Sequence, residues 1–324
     1  PLIVMWLGGA AVFFTLYLRF INLRALGLAI RHVRGEFSDP TARGEISHFK
    51  AVATAISGTV GVGNIGGVAV AISLGGPGAA FWLFLAGLLS MSTKLVECTL
   101  GVKYRRYNAN GSVSGGPMFY LEAYFRDRGW PSLGKGMGAF YALALVIGCL
   151  GIGNMFQSNQ AYAQVLVITG GQASVLADMG WLFGLGLAAT VAAVIIGGIQ
   201  SIARVAAVLV PVMAILYVLS SVIVIALSAE HLPGALRLVL TEAFTGQAAS
   251  GGALGAVIIG FQRALFSNEA GIGSASIAHA AVKTEAPASE GITALLEPFI
   301  DTVVICSLSS LVILTTAMPH NLIG

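Results

Sequence analysis

Apolar runs long enough to cross a bilayer recur along the whole chain, at 1–18, 48–74, 79–100, 137–167, 181–199, 204–228, 253–283 and 293–316. A hydrocarbon core of about 30 Å takes about 20 apolar residues of helix. Inside it every backbone group must bond within the protein, so such runs fold as helices. The remaining residues could not cover them in water. Of 324 residues 56% are hydrophobic and 10% charged, against roughly 25% charged in soluble domains. The chain therefore predicts an all-α polytopic membrane protein, a single transmembrane domain over 1–324. Cys98, Cys149 and Cys306 lie far apart inside apolar runs and suggest neither a disulfide framework nor a zinc site. A chain that opens on Pro1 and stops just after a span, at MPHNLIG, reads as an excerpt from a longer protein.

Orientation follows from Lys and Arg. With the first span running outside to inside, segments 19–50, 94–136, 200–204 and 283–292 face inward and hold all of the 17 basic residues except Arg237 and Arg263. By the positive-inside rule this puts 19–50 and 101–136 in the cytoplasm of a plasma (inner) membrane protein. The short outer segment 232–244, LPGALRLVLTEAF, has the composition of an interfacial helix.

Within 48–74 lies TVGVGNIGG, a literal G-x-G-x-x-G at Gly61, Gly63 and Gly66. No strand-like lead-in precedes it, and the first acid downstream, Glu97, lies too far on for the dinucleotide fingerprint. In a membrane the run has another meaning. Each Gly costs about 1 kcal/mol against Ala in a helix interior, so several together near mid-depth favour an unwound stretch. Unwound backbone offers carbonyls to a cation, and the half-helix that follows offers N–H groups to an anion. Gly75, in the outer turn, should tolerate a methyl group better than Gly63. Residues 253–283 carry a second interruption, FSNEAGIGS, in a run of opposite direction. Two interrupted helices of opposite direction predict an inverted-repeat transporter, with repeats at about 48–228 and from about 253–316, and a site at the midplane.

The stretches TAISGTVGVGNIGGVAVAISLGGPGAAFW (54–82), SGGPMFYLE (114–122), GIGNMFQSN (151–159) and FSNEAGIGSASIAHAA (266–281) resemble the alanine or glycine:cation symporter family over essentially the whole chain. The resemblance implies a leucine-transporter-like fold with two discontinuous helices, truncated after about eight spans. It also implies sodium-coupled import of alanine, glycine or related small amino acids. Carried over by position, the Val62 and Gly63 amides would face the substrate carboxylate, and Phe266 would close the other side with Ser267. Backbone carbonyls of Ser57, Thr59 and Val60, with the Asn64 side chain and Ser267, would meet Na⁺. Family members continue through further helices, one of which supplies hydroxyls to a sodium site.

Other residues carry weaker signals. Asn154, Gln157, Gln160 and Gln164 fall on one helix face, and the first two are candidates for lining a substrate pocket. Intramembrane charges are functional candidates by cost alone. Arg263 and Glu269 flank the second interruption and predict a clamp or charge gate. Asp301, four residues after Glu297, predicts a basic partner on a neighbouring helix or a place on the ion path. Lys94 and Glu97 read as a snorkelling pair. The five histidines are scattered and predict no metal site beyond Na⁺. No nucleophile-and-base arrangement is readable, so no enzyme is expected, and neither is an organic cofactor, a nucleic acid or an obligatory protein partner. The expected partners are a small neutral amino acid and the lipid bilayer. The alternatives are a proton-coupled amino-acid transporter, with Glu269 and Asp301 titrating, or a channel-type or non-transporting membrane protein.

Overall fold

The computed structural model describes residues 2–245 and 252–317. The chain is helical almost throughout. An apolar helix α1 (Leu2–Tyr17) is followed by the short α2 (Ile21–Arg24) and α3 (Leu26–Val33). Next come α4 (His48–Thr59) and α5 (Gly66–Gly75), bent by 61° across the glycine-rich break between them. The long α6 (Ala79–Lys103) leads to a two-stranded hairpin, β1 (Arg106–Tyr107) with β2 (Val113–Ser114), and to α7 (Pro117–Asp127). Then α8 (Pro131–Cys149) runs through a π turn at Leu150–Met155 into α9 (Phe156–Thr169), followed by α10 (Gly180–Ile195), α11 (Gly198–Leu227) and α12 (Leu232–Thr245). The second interrupted pair is α13 (Gly252–Asn268) and α14 (Ser274–Ala280). The last stretch holds α15 (Pro287–Ala294), α16 (Leu296–Pro298), a π turn at Phe299–Cys306 and α17 (Ser307–Ala317).

Among the described residues four helical stretches are long and apolar enough to cross a membrane, Ala79–Lys103, Pro131–Cys149, Gly198–Leu227 and Pro287–Ala317, and the bent pair α4/α5 makes a fifth. Two of the expected spans are shorter than a crossing requires: α1 and α10 have 16 residues each. The segment 232–244 does form a helix, and Trp82 Nε1 on α6 donates to its Ala243 carbonyl at 2.9 Å.

Helix α6 is the axis of the packing. Small residues let its neighbours approach closely, as dispersion-driven packing in lipid requires. A methyl on Gly260 of α13 would meet Trp82 Cβ at 2.6 Å and the Ala79 carbonyl at 2.7 Å. One on Gly87 would meet Thr302 Cγ2 at 2.6 Å, and one on Gly101 the Ser276 carbonyl at 2.7 Å. Gly75 belongs to the same system. A Cβ there would lie 2.8 Å from Ala79 Cβ and 3.1 Å from Ile259 Cβ, so its mild expected response to substitution is corrected.

One end of the second interrupted pair is tied down by Arg105. Its guanidinium donates to the carbonyls of Ala280 (2.9 Å), Val282 (2.6 Å), Thr284 (2.5 Å) and Arg43 (3.0 Å). Beside it Ile46 pairs in parallel with Val282 in a single β-bridge. The Arg105 bonds take up carbonyls just beyond the C-terminus of α14, where a cation is also favoured by the helix dipole.

Candidate functional site at the two helix breaks

The first break is stabilised by a side chain from within it. In a continuing helix the Gly61 N–H would bond the Ser57 carbonyl. Instead it donates to Asn64 Oδ1 at 2.8 Å, and the chain passes through a single 3₁₀ turn, Val62–Asn64, before α5 begins. A second freed amide, Val62 N–H, donates to Gln157 Oε1 at 3.0 Å, which ties the break to α9.

Asn64 is fully buried and reaches across to the second half of the chain. Its Nδ2 lies 3.1 Å from Ser267 Oγ, 2.8 Å from Asp301 Oδ1 and 3.1 Å from the Asp301 carbonyl. Ser267 Oγ in turn donates to Asp301 Oδ2 at 2.8 Å, and Thr302 Oγ1 donates to the same oxygen at 2.7 Å. The structure thus brings together Asn64 and Ser267, both expected at a cation site, with Asp301, for which the sequence offered a basic partner or a place on the ion path. The basic partner is the reading that is corrected. Among the described residues Asp301 pairs with no Lys or Arg, and its 0% exposed carboxylate takes neutral donors only. A buried carboxylate without a positive partner is costly, and oxygens converging on one point suit a hard cation. Both π turns carry candidate residues, Asn154 in one and Asp301 in the other, in keeping with the association of π bulges with functional sites.

The second break turns on Glu269, which holds a left-handed φ of 52°, followed by Gly271 at 87° and Gly273 at 95°. This backbone carries the Glu269 carboxylate forward over the start of α14, where it accepts from Ser274 Oγ. An anion there is favoured by the helix N-terminus. The expected clamp with Arg263 is therefore not formed: among the described residues no ion pair joins Arg263 to Glu269.

A cavity of about 710 Å³ opens between the breaks and α8. Ser57, Val60, Gly61, Asn154, Gln157 and Glu269 are among its lining residues, with Tyr141 and Cys149 from α8. The amide face of α9 is only partly brought here. Asn154 Nδ2 bonds back to the Cys149 carbonyl at 2.8 Å, Gln160 bonds its neighbour Asn159, and Gln164 is exposed and outside the cavity. Phe266 is 41% exposed and does not line the cavity, nor do Thr59, Val62 or Gly63. The hydroxyls of Ser57 and Thr59 bond carbonyls of their own helix, Thr54 and Ile56.

A second buried group was not anticipated. His48 Nδ1 meets Glu290 Oε2, Glu290 Oε1 lies 2.5 Å from His279 Nδ1, and His279 Nε2 meets Glu297 Oε1. Lys94 Nζ stands 3.2 Å from Glu297 and 3.4 Å from Glu97, whose other oxygen accepts from Gly271 N–H at 2.7 Å. Lys94 is 0% exposed and Glu97 5%, so the snorkelling expectation is corrected: both are core groups, paired inward. Three of the five histidines are not scattered: His48 and His279 share Glu290, and the His32 ring lies 5.6 Å from that of His48, whereas His231 stands apart beside Glu230 and His320 lies outside the described residues. Cys98, His279 and Glu297 bring one ligand atom each within 4.8 Å of one another, but Lys94 already supplies the positive charge at that point. The helix period on α6 gave no sign of this, because the partners lie on segments far away in sequence.

A bent, apolar helix pair, a second interrupted helix and a buried oxygen cluster beside a cavity describe a polytopic membrane protein with an internal polar site. The particular family follows from comparison: residues 1–322 match the sodium:alanine symporter family, and the chain belongs to it. It is a family of transporters and not of enzymes. The sodium/alanine symporter AgcS of Methanococcus maripaludis is 38% identical over 314 residues, covering 97% of this chain and 67% of that protein. The probable sodium/glutamine symporter GlnT of Bacillus subtilis is 35% identical over 321 residues, 99% of this chain and 64% of that one. The amino-acid carrier protein AlsT of Bacillus subtilis is 32% identical over 307 residues, 94% and 62% of the two chains. The chain spans about two thirds of the length of these relatives.

Proposed function

We propose that this chain forms the core of a Na⁺-coupled importer of small neutral amino acids, alanine or glycine, on a leucine-transporter-like inverted-repeat frame. The observation that carries the reading is the buried cluster of Asn64, Ser267 and Asp301, which joins the first interrupted helix to the second half of the chain beside the cavity. The relatives' names, sodium/alanine and sodium/glutamine symporter, support the cation and the substrate class. The excess of Lys and Arg in 19–50 and 101–136 supports a cytoplasmic place for those segments in the plasma membrane.

The geometry suggests how cation and substrate are coupled. Asn64 now turns its NH₂ toward the oxygens of Ser267 and Asp301, and its Oδ1 holds the Gly61 N–H. A cation among those oxygens favours the opposite orientation of the Asn64 amide, with Oδ1 toward the metal. That rotation releases the Gly61 N–H at the cavity wall. The substrate carboxylate then takes the freed Gly61 amide, and the Val62 amide as Gln157 gives way. Cation binding thus prepares the amino-acid site, and by linkage the amino acid tightens the cation by the same factor.

Uptake of labelled alanine into liposomes, driven by a Na⁺ gradient or by a pH gradient in choline buffer, tests the reading. Uptake that needs Na⁺ and survives collapse of the pH gradient supports it. Uptake that follows the pH gradient equally well in choline would replace it with proton coupling, for which Glu269, on the cavity wall, is the group to examine. Competition by glutamine as strong as by alanine would widen the substrate class beyond the smallest side chains.

A further inference from the structure

A second cavity, of about 590 Å³, has its walls on α1 and α6. The loop of the second break borders both cavities: Gly271 lines this one, and Glu269, Ile272 and Ser274 line the other. Four aromatic rings face it, Trp6, Phe13 and Phe14 from α1 and Tyr120 from α7. Thr93 and Glu97 line it from α6, one helical turn apart. Both are buried, and Thr93 Oγ1 and Glu97 Oε1 have no hydrogen-bond partner. The other Glu97 oxygen accepts from Gly271 N–H. Lys94 Nζ stands 3.4 Å from Oε1, outside hydrogen-bond geometry, and is shared with Glu297. A buried polar atom without a partner is costly, and more so when it carries charge. Nothing in the transport reading uses these two oxygens.

We propose that this cavity binds an organic ammonium carried on an apolar body, at a site separate from that of the transported amino acid. The lining selects the class. A carboxylate oxygen only accepts, and a hydroxyl accepts as well as donates. A primary ammonium brings three donors, so one head group serves Glu97 Oε1 and Thr93 Oγ1 together, the first through a charge-assisted bond. Aromatic faces attract the same positive charge, and the apolar body takes the remaining volume. A carboxylate ligand would meet Glu97 with a charge of its own sign. The zwitterion of an amino acid would do the same, which separates the two sites. A wholly apolar occupant would leave both oxygens unpaired. The head group can come from a free amphiphilic amine or from the ethanolamine of a phospholipid, since Trp6 and Phe13 stand exposed along the apolar helix α1. The site does not depend on which cation or amino acid is carried.

Octylamine brominated at its chain end is the probe, because bromine quenches tryptophan at short range and Trp6 lines the cavity. With the purified protein in phosphatidylcholine nanodiscs, saturable quenching is expected above the linear quenching by amine dissolved in the lipid. Trp6→Phe should remove the saturable part, which places the site. Octanol brominated in the same way should bind at least about tenfold more weakly. Glu97→Gln, which keeps an acceptor for the Gly271 amide, should bring the amine down to the level of the alcohol. Gly9→Leu should abolish saturation by filling the space, since Gly9 lines the cavity and an added Cβ meets nothing within 4 Å. It serves if the Glu97 variant misfolds. Phosphatidylethanolamine in the nanodiscs should compete with the probe if the phospholipid is the source, and leave its affinity unchanged if a free amine is. Purely linear quenching of the native protein overturns the proposal. So does equal binding of amine and alcohol, or a saturable part that survives in folded Trp6→Phe or Gly9→Leu protein.

Discussion

The Val62 amide, set free by the break between α4 and α5, donates at 3.0 Å to Gln157 Oε1 on α9. A side-chain oxygen therefore stands where the proposed transport cycle places a substrate carboxylate oxygen. The bond satisfies the amide, and a neutral amide oxygen is a weaker acceptor than a carboxylate that would displace it.

Gly61, rather than Gly63, is the glycine this arrangement depends on. A Cβ on Gly61 would lie 3.2 Å from Gln157 Nε2 and Oε1, whereas one on Gly63 meets nothing within 4 Å. Gly61→Ala should push Gln157 off the Val62 amide and cost about 0.5–1.5 kcal/mol at the site, a few-fold to about tenfold in alanine affinity. Gly63→Ala should change it by less than about twofold on the same scale. Alanine-dependent thermal shift of the two purified variants gives the comparison; equal losses would contradict this geometry.

Asp301→Asn keeps the shape of the oxygen cluster and removes its charge. Since the carboxylate is the one formal charge among Asn64, Ser267, Thr302 and Asp301, the variant should fold and bind Na⁺ at least about tenfold more weakly, a loss of about 1.4 kcal/mol or more. Stabilisation of the protein by NaCl over choline chloride measures this. A variant that responds to Na⁺ like the native protein would place the cation elsewhere.

Lys94→Met should be among the most damaging single changes in the chain. It leaves Glu97 and Glu297 buried without their shared cation, and removing one member of a buried ion pair costs about 3–5 kcal/mol. Adding Glu297→Gln to Lys94→Met should restore part of the loss, read as melting temperature or as the yield of monodisperse protein. A single variant as stable as the native protein would show that Lys94 does not hold these carboxylates.

The native cysteines report on the cavity. Cys98 and Cys306 are buried, whereas Cys149 is exposed and lines the cavity. With the proposed orientation, the lining residues of α4, α8 and α14 lie on the cytoplasmic side of the breaks. A membrane-impermeant maleimide should label Cys149 in inside-out vesicles and not in right-side-out ones. Alanine with Na⁺ should slow the labelling. Labelling from the outside would reverse the assignment of the open side.

What the sequence disclosed and what it hid differ in range. The breaks were legible because a run of glycines in an apolar segment is a local signal, and the structure bends at TVGVGN and turns at NEAGIG. Asn64 and Ser267 were reached by resemblance, position by position. Asp301 was noticed for its cost, but its partners stand 237 and 34 residues away, and periodicity on its own helix says nothing about them. His48 and Glu290 are 242 residues apart, so their union is a property of the folded bundle. Gly75 was misjudged for a related reason. Its place in a turn was readable, but the side chain of Ile259 packed against it was not.

The Arg105 seam bears on how such a bundle can move at all. Its guanidinium holds four backbone carbonyls, which stay fixed in number whatever side chains are exchanged around them, and Arg keeps its charge at every pH the protein meets. The linkage between the end of α14, the 43–46 segment and the foot of α6 is therefore constant. Any rearrangement that keeps these four bonds must carry the end of α14, the 43–46 segment and the foot of α6 together as one piece.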